Sequence, residues 1–337
     1  MREQIGGVER FAREMARHLP ALRPDRYRVI RPPAGLAHRA GHLWEQVILP
    51  LHAARAELIY SPANLAPVLS RGNVLVLHDL AALRHPEAYS PTYVRYQRLM
   101  LPALAGRARL LITVSEFSKA ELLELLDLDP ADVLVIPEGV GEEFTPQSEE
   151  PVLRTRYGLE RPYVLTLGTV SARKNLGVLA TAARALAERG VDLVLAGSDR
   201  GYLRAPEVAL RRLGYVAEEL LPALYSEAVA LVMPSRYEGF GLPCLEAMAC
   251  GTPVVAARSG ALPETVAEAG VLVDPGDPSA FAEALLGLVD DEAARERLVA
   301  AGRRRAGAFP WSRTAELTDE AIAQLLGESQ PRAPGGV

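Results

Sequence analysis

The sequence predicts an α/β protein of two doubly wound domains facing a cleft. Three observations carry this. Short apolar runs alternate with helix-length segments through both halves of the chain, the order that builds parallel sheets covered by helices. Between the halves, the segment from Gly139 to Pro151 is acidic, contains proline and lacks apolar periodicity, as an interdomain linker should. A chain of 337 residues is also long enough for two cores of ordinary size. The expected division is 1–145, 146–310, and a C-terminal helix with a disordered tail over 311–337.

In chain order, Gly6-Gly7 opens an amphipathic helix from Val8 to Leu19. Tyr27 to Arg31 reads as a short strand, and Pro32 to His42 as a loop. Leu58 to Tyr60 and Val74 to Leu77 are short apolar runs ending in polar residues, which reads as buried parallel strands. Leu110 to Val114 and Val133 to Ile136 continue the alternation, with a helix from Glu116 to Leu126 between them and Ser115 as its N-cap. The second half reads as strand Tyr163 to Leu167, helix Lys174 to Arg189, strand Leu193 to Ala196 and a helical stretch around Val208. The apolar pair Tyr215-Val216 and a helix near Leu220 follow. Strands Val229 to Met233 and Pro253 to Ala256 then bracket a Gly-rich turn and a helix from Leu242 to Cys250. Val271 to Val273 is the last strand, helices fill Pro278 to Arg305, and the tail from Gln330 is disordered.

Composition excludes several classes. No apolar run approaches about 18 residues and MREQIGGVERF lacks the pattern of a signal peptide, so a cytoplasmic location is expected, with the inner face of a membrane as an option. Cys244 and Cys250 stand six apart on one short helix and face different ways, which excludes a disulfide framework and a metal cluster. His38 and His42 are four apart but lie among glycine and proline. Asp127-Leu128-Asp129 has the spelling of a metal-binding D-x-D but follows a helix instead of closing a strand, so it reads as structural. There is no Walker loop and no interleaving of aromatic and basic residues; no metal and no nucleic acid are expected.

Charge is unevenly placed. Residues 1–110 hold sixteen arginines against eight acids, a net of +8, whereas residues 111–145 hold Lys119 against nine acids, a net of −8. The first stretch is suited to an anionic acceptor or a membrane surface. Only Lys119 and Lys174 among 37 basic residues are lysine, a bias of GC-rich genomes that makes the retained ammonium of Lys174 conspicuous.

The chemistry concentrates in EGFGLPCLEAMACG, Glu238 to Gly251. Gly239 and Gly241 allow close backbone approach, Pro243 suits a first helical turn, and the helix after them presents free N–H groups and a positive dipole end to an anion. Glu238 stands in the turn, and Glu246, the helix's one charged residue, eight positions later. This stretch resembles the E-x7-E signature of the family-four retaining glycosyltransferases of the GT-B fold, matching it through both glutamates and through Phe240, Gly241, Leu242, Pro243, Ala247, Met248 and Gly251. The resemblance implies that Glu238 bonds hydroxyls of the donor sugar. It places the amides of Phe240, Gly241 and Leu242 near sugar and phosphate, and Glu246 on the ribose hydroxyls.

Other segments extend the resemblance from Gly6 to about Trp311. GTVSARKN, Gly168 to Asn175, follows a strand and puts Arg173 and Lys174 at a helix start, where cations oppose the dipole unless an anion is bound. It resembles the phosphate loop of a subgroup rich in mannosyltransferases, with Ala172 where proline is usual and Thr169 where many members have arginine. HDLAALRHPE begins at a strand end and resembles the loop whose histidine, here His78, reaches the transferred sugar from across the cleft. Gly214-Tyr215-Val216 resembles the segment beside the nucleobase, and Gly6-Gly7 the N-terminal glycine loop. In the family a strand precedes that loop; here only five residues do, and the first strand is apparently missing.

A retaining hexosyltransferase is therefore expected, mannose favoured. It would use a nucleoside-diphosphate sugar of GDP or UDP type and no other cofactor. The acceptor would be a saccharide, a lipid-linked glycan or a natural product. A nucleotide-sugar epimerase of the same architecture, which needs no acceptor, and a binding-only protein are the alternatives.

Overall fold

The computed structural model describes residues 6–33, 41–148, 150–197 and 210–328. Two all-parallel sheets organise it. The first has the order β1-β2-β3-β4, with β1 Ile59–Ser61, β2 Asn73–Val76, β3 Leu110–Thr113 and β4 Val133–Val135. The second has the order β10-β9-β8-β5-β6-β7: β5 Tyr163–Leu167, β6 Asp192–Ala196, β7 Arg211–Gly214, β8 Ala230–Met233, β9 Val254–Ala257 and β10 Val271–Val273. Strands β2, β8 and β9 are buried at every position, which is why they read as unbroken apolar runs instead of alternating ones.

Five of the helices bear on the site and on the contact between the halves: α1 Gly7–Leu22, α2 Glu116–Leu126, α3 Ala180–Glu188, α4 Leu242–Ala249 and α5 Trp311–Leu325. Ser115 caps α2, its hydroxyl accepting from Ser118 N at 3.0 Å. Helix α5 comes after the second sheet's helices yet packs on α1 in the first half, with Trp311 edge-on to Phe11 at 5.6 Å. The chain crosses between the halves at Gly139, where a Cβ would stand 2.6 Å from Trp311 N, so only glycine fits.

Two local expectations are corrected. Tyr27 to Arg31 joins no sheet. The Tyr27 hydroxyl donates to Asp319 at 2.7 Å and Arg26 bonds the same carboxylate at 3.0 Å, so the segment is held by α5 and not by a strand edge. The helix expected from Lys174 is regular only over α3; Ala172–Lys174 and Leu176–Leu179 are 3-10 turns. Asn175 divides them, left-handed at φ +53°, because its amide is committed to Pro234 O at 3.1 Å and Pro275 O at 2.8 Å. Strand β7, just before the apolar pair Tyr215-Val216, was not expected: its two arginines hide it from an apolar search, and Gly214 ends it at φ +73°. Among the described residues no strand precedes α1. The helix expected around Val208, the tail from Gln330 and His38 lie outside the described residues, as does the side chain of His42.

Candidate active site

Parallel strands deliver their following loops to one edge of a sheet, and the loops after β5 and β8 meet there. Glu238 is the centre of the meeting. Lys174 Nζ stands 2.6 Å from one carboxylate oxygen and Arg173 Nη1 3.2 Å from the other, while Arg173 also donates to Tyr237 O at 2.8 Å. Gly168, at φ +141°, lets Lys174 lie across it; a Cβ would come within 2.9 Å of the ammonium. Burial favours the neutral carboxyl of Glu238, but Lys174 and then Arg173 outweigh it and hold the group down to about 2. For Lys174 burial wins and its pKa falls. Two cations face Glu238 in the buried cluster, and the partly buried Asp79 carboxylate also bears on Arg173. Ser171 Oγ and Arg173 Nε beside it are buried without hydrogen-bond partners, polar groups a ligand can satisfy. Helix α4 points its N-terminus at the same place, started by Gly241 at φ +100°.

Glu246, one helical run further on, is wholly buried and already engaged. Tyr225 donates to one oxygen at 2.8 Å, and the other is ion-paired with Arg10 of α1, contributed by the opposite half. Arg10 is also bonded to Glu218 at 2.9 Å, Arg13 reaches Glu218 at the same distance, and the Arg10 guanidinium lies 5.3 Å from the centre of the Phe144 ring. Arg10 thus sits between two carboxylates. Burial opposes the charge of Glu218, yet Arg13 and Arg10 bring its pKa below the ordinary range.

His78 follows β2 at the facing edge of the first sheet. Its ring is buried, with Nδ1 2.8 Å from Glu138 Oε1 and Nε2 2.9 Å from Pro62 O. Both partners offer acceptor oxygens, so a doubly protonated ring would satisfy both bonds and pair with Glu138. Burial works against that charge, but the Glu138 carboxylate outweighs it and the pKa is raised. The ring therefore faces its own half, edge-on to Phe11 at 4.7 Å. What crosses the cleft is the backbone: a Cβ on Gly239 would lie 2.3 Å from His78 O. Ser118 Oγ donates toward both His78 O and Gly239 O at 3.0 Å, and Ser115 Oγ donates to Gly239 O at 2.6 Å. Glu264 accepts from the first amides of α2, Glu116 N at 2.9 Å and Phe117 N at 2.7 Å. The two halves are closed on one another.

The remaining candidates fall around these groups. Gly6 and Gly7 start α1 one turn before Arg10, and Glu9 accepts from Gly6 N at 3.1 Å. Thr169 lines the recess beside Gly168 and Lys174. Tyr215 is half-buried and Val216 buried just after β7, two residues from Glu218. Phe240 and Leu242 are buried at the start of α4, Phe240 edge-on to Phe309 at 6.1 Å. Arg236 is exposed. Asp127 ends α2 in a left-handed turn and Asp129 accepts from Ala131 N at 2.8 Å, both local structural roles. Burial pushes the Cys250 thiol up to about 12 and the Cys244 thiol higher. Among the described residues no group of three or more His, Cys, Asp or Glu is placed to hold a metal ion, and no helix is long and apolar enough to cross a membrane.

Sequence reading missed Arg10, Glu218, Tyr225 and Glu138. Two left a signal: Arg10 closes the Gly-Gly-Val-Glu-Arg loop, and Glu138 stands just past the apolar run of β4.

Comparison with known proteins bears on the family and the fold. The profile of the family described as glycosyl transferases group 1 matches residues 161–291. O-antigen chain mannosyltransferase B of Escherichia coli is 35% identical over 271 residues, 75% of this chain and 70% of that protein. A D-inositol 3-phosphate glycosyltransferase of Salinispora arenicola (strain CNS-205) is 36% identical over 253 residues, 65% of this chain and 56% of that protein. Anabaena HepE, in its crystal structure in complex with UDP-glucose, superposes with a TM-score of 0.73 at 23% identity, covering 96% of this chain and 97% of that one. The chain belongs to the group 1 glycosyltransferases, in the GT-B fold. It is a glycosyltransferase, similar to mannosyltransferases of that family.

Proposed function

We propose that the protein transfers a hexose, with mannose favoured, from a nucleoside-diphosphate sugar to a saccharide, lipid-linked or natural-product acceptor. The anomeric configuration is retained and no metal takes part. The single observation that carries this reading is the buried cluster of Glu238, Lys174 and Arg173 beside the N-terminus of α4. A diphosphate entering there competes with Glu238 for the two cations and meets the helix dipole, so the charge that develops on the leaving group is met without a metal. Glu238, released in part from Lys174, accepts hydroxyls of the sugar. Glu246 accepts from the ribose once Arg10 turns to Glu218, which it already touches. The leaving phosphate takes the acceptor proton on the face it departs from, so Glu238 orients and stabilises and does not attack. The names of the E. coli and Salinispora relatives support a glycan or polyol acceptor, and the Anabaena complex supports a nucleotide-sugar donor.

The test is a thermal-shift screen against UDP, GDP, ADP, dTDP and their sugars, with and without EDTA. A ligand at about 100 times its dissociation constant adds roughly 2.7 kcal/mol, a shift of several degrees. One nucleotide should stand out, unaffected by EDTA, with glycoside forming only when acceptor is present. Loss of the shift in EDTA, or turnover of the donor sugar without acceptor, would overturn the metal-free transferase.

A further inference from the structure

We propose that Asp79 receives the acceptor, its carboxylate accepting a hydrogen bond from the attacking hydroxyl, and that the acceptor is an uncharged saccharide and not a phosphorylated one. The inference rests on the transferase reading above and adds a residue and an acceptor class to the same site. Asp79 follows His78 past the end of β2, in the first half, and is partly buried. It stands against the second half: a Cβ on Gly239 would lie 3.0 Å from the Asp79 Cβ. The next residue, Leu80, donates its N–H to the Tyr237 hydroxyl at 3.2 Å. The Asp79 charge also bears on Arg173 and on Tyr237, so the carboxylate lies beside the turn that holds Glu238. Two carboxylates from opposite halves thus meet at one turn, and they differ in what they can still accept. Both oxygens of Glu238 are taken, by Lys174 at 2.6 Å and by Arg173 at 3.2 Å. Asp79 Oδ1 accepts from Ala81 N at 3.0 Å, while its other oxygen makes no hydrogen bond among the described residues. A carboxylate offers about four acceptor positions, so Asp79 can take a hydroxyl without giving up a partner.

A hydroxyl donates to that oxygen, whereas a phosphate is repelled by it. The cations of the same loop are already committed. Arg84, the one arginine or lysine between Asp79 and Ser90, is held by Glu121 at 2.7 Å and by Glu124 at 2.8 Å, and His85 Nδ1 stands 3.2 Å from Glu87. The net +8 of residues 1–110, which in the sequence suits an anionic acceptor, is spent in part inside the fold. Arg10 and Arg13 bond Glu218, and Arg23 and Arg26 bond Asp319, acids that come from the second half of the chain. In the transfer step the acceptor oxygen bonds to the anomeric carbon as the bond from that carbon to the phosphate oxygen breaks. The hydroxyl proton passes to the departing phosphate, so Asp79 orients the hydroxyl and keeps no proton.

Kinetics with matched acceptors test this: methyl α-mannoside against its 6-phosphate, and myo-inositol against inositol 3-phosphate, each with GDP-mannose and with UDP-glucose as donor. The wild type should transfer to an uncharged member and discriminate against its phosphate about tenfold or more in kcat/KM. Asp79→Asn keeps an oxygen for Ala81 N and loses the charge. It should raise the acceptor KM about tenfold and narrow the discrimination against the phosphate. Its nucleotide affinity, read by calorimetry, should be unchanged or tighter, because a negative charge beside Arg173 is gone. A merely structural Asp79 would show the reverse, nucleotide affinity and melting temperature falling while the acceptor KM stays put. That pattern, equal use of a phosphorylated acceptor, or no transfer to either uncharged acceptor would overturn this inference alone. Wild-type turnover of the donor sugar without acceptor would overturn the transferase reading and this inference together.

Discussion

Arg10 is held by two carboxylates, and only one of them is available to a ribose. Glu246→Ala should weaken nucleotide binding about 10–100-fold, the worth of a carboxylate–hydroxyl bond of roughly 1.5–3 kcal/mol. Arg10→Gln should do the opposite, removing a competitor for Glu246 and tightening nucleotide binding. It also leaves two carboxylates without their shared cation, so the melting temperature should fall. Calorimetric titration beside thermal melting reads both effects, and binding that weakens in Arg10→Gln would show that Arg10 serves the ligand and not Glu246. Glu238 gives a pH signature. Its folded value, about 2, lies below the ordinary carboxylate value, so the stability it contributes is present above about pH 4.5 and is lost as pH falls toward 2. Glu238→Gln, which leaves Lys174 and Arg173 unpaired, should be less stable than wild type at neutral pH and converge with it on acidification. A constant gap in melting temperature would refute the ion pair. For His78 the sign reverses. Its raised value means that the pair with Glu138 is intact below the ordinary histidine value and is lost as pH rises through the folded value. Glu138→Gln should lower the His78 titration midpoint followed by NMR.

At the scale of the element, the closed cleft depends on a few backbone contacts. Gly239→Ala forces a methyl group against His78 O and should separate the halves, raising the radius of gyration in solution scattering and weakening donor binding at least tenfold. Glu264→Ala removes the acceptor for two α2 amides and should cost about 0.5–2 kcal/mol, the ordinary worth of an N-terminal cap, with a melting temperature a few degrees lower. These elements were unequally legible in the sequence. Strands such as Tyr163–Leu167 are buried on both faces, so apolar continuity located them to the residue. The start of α3 was not legible, because the bonds Asn175 makes to Pro234 and Pro275 come from loops about 60 and 100 residues away. Strand β7 escaped for the reverse reason, as its arginines occupy an edge of the sheet where side chains stay solvated.

At the scale of the molecule, the sequence carried the two-sheet plan and, through resemblance, the residues of the phosphate loop and of α4. It could not show that α1 contributes Arg10 to a site in the other half. Nor could it show that His78 turns both nitrogens inward, since both depend on how the halves close. The same closure has a consequence for biosynthesis. Helix α1 leaves the ribosome long before α5, which supplies Trp311 to Phe11 and Asp319 to Arg23, Arg26 and Tyr27. The apolar face of α1 therefore waits for its partner while both sheets are synthesised. A nascent chain halted before Trp311 carries an unfinished first half however well its second sheet has formed, which makes α1 the natural site for a chaperone to hold.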